Sequence, residues 1–196
     1  MRGSARCGSS VSSWLEAEEV PGLNALTRRE LLYGAGLAVG ASLLPLRELR
    51  ADDTFELEQE TVRALETSPY VYISPLHPDG KESQCHGEVW YSFDQGGVVI
   101  VTTADRWKTR ALERGWSSAR IWVGDYGRVK RDGDRFRKAP SFRAKSSREL
   151  DPAVFERVMT SFGKKYPKEW AKWEPRFREG YGDGSRVLIR YEPVAP

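Results

Sequence analysis

The sequence predicts a mainly β domain with flanking helices, in which a small antiparallel sheet closes into a barrel. Three observations favour this class. Short segments rich in β-branched and aromatic residues outnumber the amphipathic helical segments, tight-turn residues join the first three of them, and strand and helix do not alternate regularly along the chain. A doubly wound parallel sheet requires that alternation, so the pattern argues against it.

The folded region begins with a helix and three strands. Helical spacing of apolar residues predicts a helix over 55–67, which Pro69 ends. The three strands are predicted over 70–75, 83–93 and 98–103. Turn-forming residues separate them at 77–80 and 94–97. Short turns between consecutive strands predict an antiparallel meander.

The next elements are a helix, a strand and a hairpin. Thr103 is placed to cap a helix over 104–114, which Gly115 would end. A fourth strand is predicted over 119–124. A hairpin is predicted over 126–136, because an Asp-Gly pair, a strong turn signal, lies near its centre.

The C-terminal part of the chain is predicted to hold helical structure and a last strand. Asp151 and Pro152 satisfy the rules for a helix start, and Gly163 is expected to end that helix. Helical spacing then continues through Trp170, Trp173 and Phe177. Val187, Ile189 and Tyr191 alternate with Arg186, Leu188 and Arg190, which predicts a final strand over 186–193.

Composition and motifs exclude several classes of function. The 31 basic and 28 acidic residues give a net charge of +3, which is too small to demand a nucleic-acid partner. The only histidines are His77 and His86, and no Cys/His cluster has the spacing of metal ligands, so no metal site is predicted. His86 is either a structural histidine or a residue that hydrogen-bonds a bound cofactor or acts as an acid.

The N-terminal region carries the pattern of a twin-arginine export signal. Arg28 and Arg29 precede the apolar, glycine-containing run 33–46, which has the length of a signal-peptide apolar region and is short for a bilayer span. We therefore divide the chain into an export region, 1–51, and a folded domain, 52–196. The expectation is passage through the Tat export machinery to the periplasm or another extracytoplasmic compartment, either cleaved or held by an uncleaved anchor. A short buried helix with a chance arginine pair is the alternative interpretation.

Several segments of the folded region follow one another in a characteristic order and spacing. They are PYVYIS at 69–74, DGK at 79–81, HGEVWYSFD at 86–94, VVIVTT at 98–103, WK at 107–108 and ARIWVG at 119–124. This order resembles the first four strands of the pyridoxamine 5′-phosphate oxidase-like superfamily of FMN-binding split barrels. The resemblance covers about residues 55–193 and is strongest over 98–124.

The resemblance implies a homodimer that binds FMN at its interface, with deazaflavin or haem as alternative cofactors. The implied phosphate-binding residues are Thr102, Thr103 and Lys108, which Arg106 could join, while Trp107 could cover the edge of the flavin ring. The residues themselves support an anion site, because a capped helix start exposes N–H groups and Lys108 adds a positive charge. In the alternative interpretation the threonines only cap the helix and Lys108 is solvated.

The implied function is a flavin-dependent oxidoreductase acting on a small molecule. The strongly basic second strand of true pyridoxamine phosphate oxidases is missing, since Glu88 to Tyr91 reads EVWY, so their substrate is not expected. The alternative is a non-catalytic protein that stores or senses flavin, deazaflavin or haem on the same barrel. The basic stretch 128–148 is either a solvated hairpin or a surface for an anionic partner.

Overall fold

Seven strands form one antiparallel sheet in the part of the chain that the computed structural model describes, residues 55–195. The strands are β1 (Val71–Pro75), β2 (Gly87–Val89), β3 (Ser92–Asp94), β4 (Gly97–Thr103), β5 (Ser118–Val123), β6 (Ser141–Glu149) and β7 (Arg186–Val194). Their order across the sheet is β2-β1-β5-β6-β7-β4-β3, and every neighbouring pair is antiparallel. Residues 1–51, with Arg28 and Arg29, lie outside the described part.

The two edge strands of this sheet are consecutive in the chain, and this curls the sheet into a barrel. β2 ends at Val89 and β3 begins at Ser92, so only Trp90 and Tyr91 lead from one edge of the sheet to the other. Three Cα steps span at most roughly 11 Å, so the two edges must approach each other. The predicted fold class, a small antiparallel split barrel with flanking helices, is confirmed.

Alternating apolar side chains fill the interior of the barrel. The strand residues among them are Val71, Ile73, Val98, Ile100, Ala119, Ile121, Val123, Phe142, Ala144, Val187, Ile189 and Tyr191. On the opposite face of the sheet, Val99 and Leu188 belong to a second apolar cluster together with side chains of two C-terminal helices. The period of two along each strand therefore separates an inner core from a helix-covered outer face.

Within residues 55–195, five helices and one 3₁₀ turn accompany the sheet. The helices are α1 (Gln59–Thr67), α2 (Trp107–Glu113), α3 (Val129–Asp132), α4 (Pro152–Lys165) and α5 (Pro167–Gly182), and the 3₁₀ turn is Gly133–Lys138. As predicted, Asp151 caps α4, accepting a hydrogen bond from the Ala153 N–H at 2.8 Å. The predicted end at Gly163 is wrong. A Cβ there would lie 3.0 Å from Trp170 Nε1, so Gly163 provides room for an aromatic neighbour inside the helix.

Tyr166, the residue between α4 and α5, holds the segment that crosses between the sheet edges. Trp90 stacks on Tyr166 with ring centroids 4.1 Å apart and an interplanar angle of 5°. The Tyr166 hydroxyl accepts a hydrogen bond from the Tyr91 N–H at 3.1 Å and donates to the Pro69 carbonyl at 2.9 Å. The Tyr91 hydroxyl in turn donates to the Leu65 carbonyl at 2.6 Å. The two edges of the sheet, β2 and β3, are therefore connected by a segment that is well packed and hydrogen-bonded.

Three sequence-based expectations about the strands are wrong. The strand predicted over 83–93 is broken at Trp90 into β2 and β3, which occupy opposite edges of the sheet. The first three predicted strands consequently form no simple meander, since β4 pairs with β7 and β3. A strand that the sequence did not predict, β6, lies at the centre of the sheet. Its inward positions include the small residues Ala144 and Ser146, which give a weak apolar pattern.

The hairpin predicted over 126–136 is also wrong, because this region forms α3 and the 3₁₀ turn. Phe136 is fully buried against the outer face of the sheet, where its ring stacks on Tyr72 at 4.7 Å and meets the edge of Trp122 at 5.0 Å. Gly133 has the positive φ of 64° that a turn needs. Burial of Phe136 thus selects a compact helical turn over two extended strands.

Within residues 55–195, no helix combines the length and the apolar character needed to cross a bilayer.

Candidate functional site

The five residues predicted to hold a cofactor phosphate lie at the end of β4 and in the segment that follows it. They are Thr102, Thr103, Arg106, Trp107 and Lys108. The two threonines end β4 and pair with the first two residues of β7, while Arg106 immediately precedes α2 and the last two residues open it. Thr102 lies two residues after the inward-facing Ile100 and therefore on the inner face of the sheet, while Thr103 lies on the outer face.

Thr103 does not cap α2, which corrects the sequence-based expectation. The helix begins at Trp107 rather than Ala104, and the residue before it, Arg106, makes no side-chain cap. Instead, the Thr103 hydroxyl donates to Asp105 Oδ1 at 2.7 Å, and this hydrogen bond lowers the pKa of the Asp105 carboxyl. Because α2 has only seven residues and no cap, an anion site here must be formed by side chains rather than by a helix end.

Lys108 is a buried cation whose ammonium contacts an aromatic ring. The residue is 7% exposed, and its Nζ lies over the Trp107 ring, 4.1 Å from the centroid. No carboxylate in the described part of the chain forms an ion pair with it. Burial lowers the pKa of Lys108 to about 8, with Glu88 favouring the charged form and Arg106 opposing it. An anion beside this buried ammonium would stabilise its charged form.

Arg186 is a further cation that the sequence analysis missed. It begins β7 as the direct partner of Thr103, and its guanidinium lies over the Phe177 ring, 5.1 Å from the centroid. Burial lowers its pKa, and the charges of Arg176 and Arg106 lower it further. Among residues 55–195 it has no ion pair either. Arg186 lies beside Thr103 because β4 and β7 pair in an antiparallel register. The sequence alone does not show which distant strands pair.

Together, Arg106, Lys108 and Arg186 form a group of cations around the end of β4, which we call the β4 cationic cluster. Arg106 lowers the pKa of both Lys108 and Arg186, and this repulsion between like charges raises the free energy of the folded protein. An anion with more than one negative charge would relieve this repulsion. The cluster is therefore chemically suited to bind a phosphate group.

Neither histidine takes part in this cluster by any contact that the structure shows. The His77 ring packs against Trp116 with centroids 4.4 Å apart. His86 Nε2 lies 3.2 Å from Asp134 Oδ1, and its buried Nδ1 has no hydrogen-bond partner among residues 55–195. In the region spanning residues 55–195, no three metal-ligating side chains come together.

No protein-family model matches the sequence, and no curated protein matches it. Solved structures do match. A conserved hypothetical protein from Mycobacterium tuberculosis is 20% identical, with a TM-score of 0.50, over 74% of this chain and 84% of its own. A candidate pyridoxamine 5′-phosphate oxidase from Listeria innocua is 16% identical, with a TM-score of 0.47, over 71% and 95%. The haem storage protein HutZ from Vibrio cholerae is 15% identical, with a TM-score of 0.46, over 72% and 92%. At these identities the likeness is one of fold, the antiparallel split barrel.

Proposed function

We propose that this chain binds FMN at the β4 cationic cluster and acts as a flavin-dependent oxidoreductase on a small molecule, in the manner of pyridoxamine 5′-phosphate oxidase-like proteins. The observation that carries the proposal is the buried ammonium of Lys108. It lies over the Trp107 ring and forms no ion pair with any carboxylate of residues 55–195. A phosphate monoester carries about −1.5 to −2 charge at pH 7, which would neutralise much of the cluster.

The residues of the cluster differ in what they would contribute to phosphate binding. Lys108 and Arg106 would donate charge-assisted hydrogen bonds, which are the stronger kind. Thr103 already donates its hydroxyl hydrogen to Asp105, so it could donate to a phosphate only by releasing that carboxylate. Thr102 is therefore the better hydroxyl donor. Trp107 would cover part of the flavin while its ring stays beside Lys108.

When bound, FMN supplies the redox chemistry, and the protein has to bind, orient and shield it. Binding of the phosphate at the end of β4 would hold one end of the cofactor against a strand whose residues are mostly buried. We also propose that the chain works as a homodimer, as the resemblance implies. The expected result of sedimentation analysis is twice the mass of one chain.

A non-catalytic storage or sensing role is the second candidate function. It is favoured by the residue types of the five predicted site residues, which include no carboxylate or histidine and leave Lys108 as their one candidate for a general acid or base. The same cations would attract the phosphate of a deazaflavin or the carboxylates of a haem. These alternatives differ in colour and in redox behaviour.

The visible spectrum of the purified full-length chain tests the proposed function. We expect a yellow protein with flavin absorption that bleaches on addition of a nicotinamide donor. Flavin absorption that resists bleaching by every donor tried would favour the storage role. A colourless protein that takes up no added FMN would contradict the flavin proposal in both forms.

We further propose that the Tat export machinery carries the protein to an extracytoplasmic compartment. Replacing Arg28 and Arg29 by lysine should leave the protein in the cytoplasm, because paired guanidinium groups offer a planar hydrogen-bonding pattern that lysine cannot reproduce. Lysine at Arg47 and Arg50, after the apolar run, is the matched control and should not change localisation. Cell fractionation measures both. Export of the first variant at the level of the parent would refute the signal.

A further inference from the structure

A cleft of about 370 Å³ lies at the end of the barrel that is remote from the β4 cationic cluster. It opens between the segment leading into α1 and the strands β5, β6 and β7, and Val194 at the end of β7 lines it. Arg186 of the cationic cluster begins the same strand. Eight steps of an extended strand cover roughly 26 Å, so the two places are separate sites.

Three cations line this cleft, and the strand register forces two of them together. Arg120 of β5 and Arg143 of β6 are direct cross-strand partners, so their side chains leave the same face of the sheet. Directly opposed like charges destabilise a sheet. Lys138, from the segment before β6, is the third cation. The sequence offers no hint of this arrangement, because Arg120 and Arg143 are far apart in the chain.

These cations have few acidic partners in the described residues. Arg120 Nε lies 3.7 Å from a Glu82 carboxylate oxygen, and Arg120 Nη1 donates to the Ser141 hydroxyl at 3.4 Å, which are both weak contacts. Lys138 and Arg143 form no ion pair with any carboxylate of residues 55–195. The guanidinium of Arg143 is therefore available to a ligand.

The remaining wall of the cleft joins apolar surface to two carboxylates. Phe55 and Leu57 are half-buried and line the cleft beside Glu58 and Glu60. Neither glutamate forms an ion pair with a cation among the described residues. Positive charges outnumber negative ones in the lining, three to two. The cleft thus combines an anion-attracting side with an apolar side.

We propose that this cleft is a second binding site, which takes a small organic anion with an apolar body. The anionic group lies between the guanidinium groups of Arg120 and Arg143, which relieves their mutual repulsion. The apolar body contacts Leu57 and Val194. The volume lies within the range of small-molecule pockets, which begins at roughly 300 Å³. The proposal is independent of FMN binding at the β4 cationic cluster.

Two naphthalene dyes of similar shape test this site on the full-length chain. One is 8-anilinonaphthalene-1-sulfonate, which carries an anionic group, and the other is N-phenyl-1-naphthylamine, which is uncharged. Dye fluorescence should show saturable binding, with the sulfonate bound about tenfold or more tightly than the uncharged dye, as one charge-assisted contact implies. Arg143→Gln should weaken sulfonate binding about tenfold and leave the uncharged dye unaffected.

Lys145→Gln is the matched control, because Lys145 lies two residues along β6 on the same face and does not line the cleft. This variant should bind both dyes like the parent. Lys138→Gln, at an exposed position, provides a second variant and should also weaken sulfonate binding. NMR shift changes on dye binding should concentrate at residues 57–61 and 139–143.

Three results would overturn the second site. They are equal affinity of the two dyes, sulfonate binding unchanged in both Arg143→Gln and Lys138→Gln, and displacement of the sulfonate by FMN. The last would place the dye at the flavin site. Failure of the chain to bind FMN would leave the proposal for the cleft untouched, so the two proposals fail by different measurements.

Discussion

Replacing Arg190 by alanine is expected to lower the free energy of unfolding by roughly 3–5 kcal/mol, the cost of leaving buried charge uncompensated. Arg190 is 9% exposed and joins three strands. Its Nε donates to a Glu149 carboxylate oxygen at 2.7 Å, and its Nη2 donates to Asp94 Oδ2 at 3.0 Å. After the substitution Asp94 keeps Arg157, while Glu149 keeps no cation among residues 55–195.

Urea unfolding followed by tryptophan fluorescence measures this loss. The matched control is Arg178→Ala, because Arg178 also contacts two carboxylates, those of Glu156 and Glu174, but on the exposed surface of the helices. Exposed ion pairs contribute about 0–1 kcal/mol, so the control should change stability little. A cost below that of the control would show that the Arg190 network does not hold the barrel together.

The same network predicts how stability depends on acid. The Arg157 hydrogen bond, opposed by burial and helped by Arg190, lowers the pKa of Asp94. For Glu149, burial raises the pKa and the Arg190 hydrogen bond lowers it, with a net lowering. Carboxyls with a lowered folded-state pKa stabilise the protein above their unfolded pKa of about 4, and this stability is lost as the pH falls further. In Arg190→Ala, the free energy of unfolding should fall less steeply as the pH drops below about 4.

Lys108→Met is expected to stabilise the protein without ligand and to weaken FMN binding. Methionine keeps the long apolar stem but removes the buried charge, which should add about 1–3 kcal/mol to the free energy of unfolding at pH 7. Loss of one charge-assisted phosphate contact should lower FMN affinity by about one to two decades. A substitution that helps folding and harms binding marks a residue kept for function.

The pH profile separates this explanation from a packing effect. Burial lowers the Lys108 pKa to about 8, below its ordinary value of 10.5. A lysine of this kind binds fewer protons in the folded state, so the parent should gain stability as the pH rises from about 8 towards 10.5. Half-buried Lys165, whose pKa burial also lowers to about 8, contributes to the same rise. In Lys108→Met the rise should be smaller.

Exposed Lys168 provides the control for both effects, and Lys168→Met should leave the pH profile and the FMN affinity as they are in the parent. A Lys108→Met variant that is destabilised at pH 7 would show that the ammonium has a structural role. Unchanged FMN affinity in that variant would move the phosphate away from the β4 cationic cluster.

Local patterns in the sequence were sufficient where neighbouring residues decide the structure. Asp151 and Pro152 start α4 as predicted, since the cap bond is formed two residues away. The alternation over 186–193 correctly predicts β7 because one face of that strand packs into the barrel. The Thr103 cap failed for an equally local reason, since the nearby carboxylate of Asp105 accepts the hydroxyl hydrogen instead.

The features that the sequence did not predict depend on tertiary packing, which local sequence patterns do not show. Burial of Phe136 against Tyr72 overrides the turn signal that predicted a hairpin. The candidate phosphate residues lie within seven consecutive positions, 102–108, so the sequence alone can group them, and their role in binding phosphate stays a prediction. Arg186 and the pair formed by Arg120 and Arg143 could not, since their positions depend on the register between strands distant in sequence.

The most direct test of the central proposal compares FMN with riboflavin, which has the same ring system but no phosphate. Both are titrated against the ligand-free parent chain while flavin fluorescence is followed. If the β4 cationic cluster binds the phosphate, FMN should bind about 10- to 100-fold more tightly than riboflavin. Equal affinities for the two flavins, or no binding of either, would contradict the proposal.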